Sequence, residues 1–134
     1  MLEFPGKISK RDKAQAAMFL KNSENKEVDA RKHVEQLKER RENSVSTSCL
    51  IYNATGDTIN FSHSKNWEGQ FGSEYPEMIE NGQWGVLVHV SSRTTSPRSS
   101  GAVVYRGKNE DEVERDWMLA WDNISGKFCS HKVN

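Results

Sequence analysis

The tightest constraint on this chain lies after Ser46. There, runs of β-branched and aromatic residues follow one another at short intervals: TSCLIY, DTINFS, WGVLVHVS, GAVVYRG and DWMLAWD. Such residues suit a pleated, half-buried surface, and polar or glycine-bearing segments separate the runs. In the third run Trp84, Val86, Val88 and Val90 alternate with Gly85, Leu87 and His89, the period-two pattern of a strand. In the fifth, Trp117, Leu119 and Trp121 alternate with Met118 and Ala120. Both of its faces are apolar, which predicts a strand covered on both sides. Short strands so spaced predict a mostly antiparallel β-sandwich of about five to seven strands.

The chain reads differently before that point. Residues 9–42 have helical character, with Ser9 as N-cap and Asp12 as its capping partner. The weak helix formers Asn22, Ser23, Glu24 and Asn25 predict a break. Beyond it Ala30, Val34 and Leu37 share one helix face. The narrow stripe of Ala14, Met18, Val34 and Leu37 is expected to rest on the sandwich, because so thin a stripe does not sustain a free helix. The resulting class is α+β: a charged helical arm over residues 1–44, then a β-sandwich over residues 45–134.

Composition bounds the function. The 134 residues are 34% hydrophobic and 28% charged, with zero formal net charge, a modest core for one domain. The arm carries 11 Lys and Arg against 8 Asp and Glu, and the remainder reverses this with 8 against 11. That asymmetry falls short of a nucleic-acid footprint. No apolar run reaches membrane-spanning length, and the N-terminus MLEFPGKISKRDK lacks a secretory apolar core. The expected location is therefore cytoplasmic, with the nucleus also open, and not secreted. Cys49 and Cys129 are expected to remain thiols there, and the sequons at Asn53 and Asn123 to remain plain turn chemistry. Within Asn53–Asp57, Gly56 is the residue best able to take a positive φ.

No catalytic or cofactor motif is present, so the chain is expected to be non-enzymatic and cofactor-free. His63, His89, His131, Cys49 and Cys129 follow no compact metal-ligand spacing. His89 reads as a half-exposed or hydrogen-bonded strand histidine. Glu110, Asp111, Glu112 and Glu114 read as a solvated loop. Ser96-Pro97, between Arg93 and Arg98, is a phosphosite pattern common to polar loops.

Trp84, Trp117 and Trp121 sit in alternating strands and read as core. Trp67 lies in SHSKNWEGQFG, read as a loop, where an indole beside Asn66, Glu68 and Gln70 suits a sugar face or a membrane interface. Tyr75, on the loop before Pro76, and Asp122 and Asn123, at a strand end, complete the candidate ligand-binding set.

The succession LIYNATGDTINF, NW-x-G, YPEMIENGQWG-x-L-x-HV, GAVVYRGKN and DWMLAWDN resembles the plant 23 kDa jasmonate-induced protein family. The upstream stretch DKAQAAMFLKNSENKEVDARKHVEQLKERRENSVST fits the same family, so the likeness runs from residue 10 to 123. It implies a cytosolic plant protein induced by jasmonate and stress. This chain departs from the family pattern after Asn123, where ISGKFCSHKVN replaces a longer aromatic and Asn-rich tail, the mark of a shortened or divergent member. The layout of Pro76-x-x-Ile79-x-x-Gly82, the Gly101 strand and the Trp-Asp-Asn ending is also similar to actinoporin-like and fungal-lectin-like sandwiches. That fold-level likeness implies binding of lipid headgroups or glycans. The first expectation is a lectin-like module for a glycan. Its rivals are a membrane-active headgroup binder and an RNA- or ribosome-associated stress protein. A homo-oligomer remains open, since a short C-terminus can leave a sheet edge exposed.

Overall fold

The structure is a computed structural model that describes residues 8–39, 45–72, 74–93, 95–108, 111–124 and 129–133. Helix α1 (Lys10–Phe19) is followed by a 3-10 turn (Ser23–Asn25) and helix α2 (Lys26–Glu39). Eight strands follow: β1 (Ser46–Asn53), β2 (Ile59–Glu68), β3 (Gln70–Phe71), β4 (Met78–Ile79), β5 (Trp84–Val90), β6 (Ser99–Lys108), β7 (Glu114–Asn123) and β8 (Cys129–Val133).

They form two four-stranded sheets, ordered β3-β5-β1-β8 and β4-β2-β6-β7. All pairings are antiparallel except β1 with β8, which run parallel and set Cys49 opposite Cys129 in register. This is the α+β sandwich read from the sequence. The count of eight exceeds the expected five to seven because β3 and β4 span two residues each and have no periodic signature of their own. The departing C-terminal stretch supplies a real edge strand, β8.

Between the sheets, Cys49, Ile51, Ile59, Ile79, Leu87, Val103, Tyr105 and Trp121 form the main core. Odd-numbered β7 residues point inward here. Met118 is 65% exposed and Ala120 is exposed, so the expectation that β7 is covered on both faces is corrected. Among the described residues no helix lies over that outer face.

The arm covers the other sheet. Ala30 and Val34 pack on Leu50 with Trp84 and Val86, while Ala17 packs on Tyr52 and Ala54. Ala17 takes the place foreseen for Met18, which is 39% exposed. The break foreseen at residues 22–25 is the 3-10 turn, and Ser9 and Asp12 form a reciprocal capping box.

Asn53 organises the turn between β1 and β2. Its buried amide donates to the Asp57 and Ile79 carbonyls, both at 2.7 Å, and its Oδ1 accepts from the Thr55 amide and hydroxyl. A side chain used this fully has no nitrogen to offer a glycan. Gly56 has the anticipated positive φ, +90°, and lies against the Lys10 carbonyl.

Candidate functional site

The four candidate residues divide in two. Trp67 and Asp122 face solvent at one end of the β4-β2-β6-β7 sheet. Glu68, Ser100 and Asp122 form one register row across β2, β6 and β7, so Trp67 and Asp122 lie near each other. Trp67 is 59% exposed. It sits on β2, not on the loop read from the sequence, at a register shift between Asn66 and Glu68. A bulge of this kind re-aims a side chain without ending the strand.

Asn123 and Tyr75 serve the fold. Asn123 is buried and donates to the Ser46 carbonyl at 2.9 Å, tying β7 to the start of β1. Tyr75 is half-buried between Phe61 and Phe71, with ring centroids at 4.6 and 4.8 Å.

The electrostatics of the Trp67 end are balanced. Arg98 donates two hydrogen bonds to Asp122, both at 2.6 Å, and Arg93 lies 3.3 Å from Glu68. Hydrogen bonding from Arg98 holds the Asp122 carboxyl below its ordinary range. The same pair occupies Arg98, two residues from Ser96 in the phosphosite pattern. Ile124, 71% exposed, completes an end that mixes apolar side chains with charge-neutral pairs.

His89 lies beneath this end. It is fully buried, hydrogen-bonded rather than half-exposed, with Nδ1 2.7 Å from Ser99 Oγ and Nε2 3.0 Å from Asn66 Oδ1. Burial lowers its pKa to about 4. Ser99 is equally buried and receives a bond from Thr47 at 2.9 Å. The serine and imidazole are thus enclosed in the core, where no substrate reaches them.

Two depressions were not legible in the sequence. A cleft of about 440 Å³ opens beside β2 and β6, lined by Thr58, Asn60, Ser62, Arg106, Lys108 and Glu114. A groove of about 310 Å³ between α2 and β5 has Trp84, Ala30 and Val86 beside Lys26, Asp29 and His33. Both join residues distant in sequence, so only the register and the docking of the arm bring them together. Among the described residues no group of three or more His, Cys, Asp or Glu is placed to hold a metal. Among them, no helix is long and apolar enough to cross a membrane.

Similarity to known proteins agrees with this geometry. The 23 kDa jasmonate-induced protein of Hordeum vulgare is 41% identical over 121 residues, 89% of this chain and 58% of that protein. A jasmonate-induced protein homolog of Atriplex canescens is 33% identical over 81 residues, 60% of this chain and 42% of that protein. The crystal structure of the lipid binding protein Nakanori superposes with a TM-score of 0.69 at 30% identity, over 81% of this chain and 52% of that one. The chain therefore spans about half the length of these relatives. Their names are those of induced and lipid-binding proteins, not of enzymes. The resemblance read from the sequence holds, and the family model for Nakanori-like proteins matches residues 4–133. The chain belongs to the Nakanori-like protein family.

Proposed function

We propose that this protein is a non-enzymatic plant stress protein, made in response to jasmonate and working in the cytoplasm, whose ligand is the headgroup surface of a lipid membrane. The likeness to the lipid binding protein Nakanori carries this reading, because it joins 30% identity to a shared fold over 81% of the chain. It reverses the order of the sequence-based expectations, which put a glycan first. Exposed apolar side chains at separate points, Phe19 at 90%, Ile124 at 71% and Trp67 at 59%, suit a surface that meets an apolar layer.

Liposome co-sedimentation of the whole chain on neutral, anionic and plant-lipid vesicles tests the reading, with tryptophan emission followed in the same samples. Sedimentation that depends on headgroup composition is the expected result. A protein that stays in the supernatant with every vesicle overturns the reading.

A glycan remains the second reading, favoured by one observation. The cleft beside β2 and β6 is lined by hydroxyl, amide and charged groups of the kind that bind sugar hydroxyls. A glycan array that retains the protein when vesicles do not decides for it.

A further inference from the structure

The arm turns a corner between α1 and α2, and that corner is both clamped and apolar. On one side of it, the Tyr52 hydroxyl donates to the Ala17 carbonyl. On the other, Trp84 Nε1 donates to the Lys21 carbonyl at 3.0 Å. Two aromatic side chains of the sandwich therefore hold residues 17 and 21, with their rings 5.0 Å apart. The three residues between the clamps are Met18, Phe19 and Leu20, exposed by 39%, 90% and 50%. Val28, in the first turns of α2, is 42% exposed.

The turn that follows carries backbone strain at Glu24, while Asn25 tolerates the left-handed region more readily. Glu24 and Asn25 have φ of +56° and +62°, the left-handed region, without being glycine. Lys26 Nζ then donates to the Gly82 carbonyl at 2.5 Å and anchors the start of α2. The three anchors and the turn hold this apolar tripeptide facing water.

We propose that the Met18-Phe19-Leu20 corner is the part of this protein that enters an anionic lipid bilayer, as a shallow wedge with the arm still docked. The proposal rests on the lipid reading above and names the contact within it. Charge supports an anionic surface. Residues 10–32 hold seven Lys and Arg against four Asp and Glu. Arg93 and Arg98 at the Trp67 end each face a carboxylate, as Lys10, Lys21 and Arg31 also do, but residues 10–32 keep an excess of cations over their own acids. The corner also offers three consecutive apolar side chains, where the other end offers Trp67 on β2 and Ile124 just past the end of β7. The geometry differs from insertion of a detached amphipathic helix. Here α1 stays on the sandwich, its Ala17 face occupied by Tyr52 and Ala54.

The test is co-sedimentation on phosphatidylcholine vesicles with and without phosphatidylserine, using the whole chain and three variants. These are the double variant Phe19→Ser with Leu20→Ser, Trp67→Ala, and Met118→Ser as a control on the uncovered sheet face. All these positions are exposed, and circular dichroism checks that each variant is folded. The double variant is expected to lose about tenfold or more in partitioning onto phosphatidylserine vesicles, since two large apolar side chains no longer leave water. Wild-type partitioning falls as salt rises. Equal binding by the double variant and wild type overturns the wedge and leaves the lipid reading standing. So does loss of binding in Trp67→Ala alone. Failure of the wild type to bind vesicles with or without phosphatidylserine overturns the wedge; failure extending to plant-lipid vesicles overturns the lipid reading as well.

Discussion

The His89 imidazole lies 2.7 Å from the Ser99 hydroxyl with no exposed surface on either residue. Burial without a compensating carboxylate favours the neutral ring and lowers its pKa from 6.5 to about 4. The unfolded chain binds this proton between those values and the folded chain does not. Stability contributed by the neutral ring is therefore full above pH 6.5 and is lost as pH falls toward 4. Linkage puts the loss between pH 7.5 and 5 at about 2 kcal/mol. Urea midpoints at the two pH values measure it, and ring titration by NMR checks that His89 is the source. The exposed Asp116 and Asp122, both lowered by their arginine partners, act at lower pH and do not confuse this window.

Asn53→Asp tests the turn. The change keeps the shape but replaces an amide that donates to the Asp57 and Ile79 carbonyls with a carboxylate that only accepts. Two carbonyls would then face a buried negative charge. A loss of about 3 kcal/mol or more is expected, by analogy with other buried groups left unpaired. Chemical denaturation measures it, and a stability change under about 1 kcal/mol is incompatible with this network.

Gly56→Ala tests how the arm meets the sandwich. An alanine there needs a left-handed backbone, and its Cβ would land on the Lys10 carbonyl. The first turn of α1 has to move away, which disturbs the Lys10 bridges to Asp57 at 3.2 Å and Glu112 at 2.9 Å. The expected result is a destabilisation of about 2 kcal/mol or more, together with faster amide exchange in α1 than in β1.

What was legible in the sequence was periodic, and what was not depended on distant partners. Five long strands, the helix break and the capping box all follow from local residue choice. The second half of β2, SHSKNWE, looked like a loop because its side chains are polar and its register shifts twice. Asn123 shares the parity of Trp117, Leu119 and Trp121, so continuing the β7 alternation by one residue would have turned it inward. Trp67 was rightly singled out as an accessible aromatic, although on a strand. Tyr75 owes its place to Phe61 and Phe71, from two different sheets, a relationship no single stretch of sequence displays.

Tyr52→Phe separates the clamp from the core. The ring is fully buried, packed on Ala17, Ala54 and Trp84, and phenylalanine keeps that packing. Only the hydrogen bond to the Ala17 carbonyl is removed, and the helix end loses an acceptor's partner in a site closed to water. The Ala17 carbonyl keeps its bond from the Leu20 amide at 3.2 Å, so net stability should fall by about 1 kcal/mol, the worth of one hydrogen bond. The effect should also be local. Exchange of backbone amides in α1 is expected to quicken, while those of β1 and β6 fall only with global stability. Uniform acceleration across both sheets would mean that the arm and the sandwich unfold as one unit, and that Tyr52 holds the whole fold rather than the corner between α1 and α2.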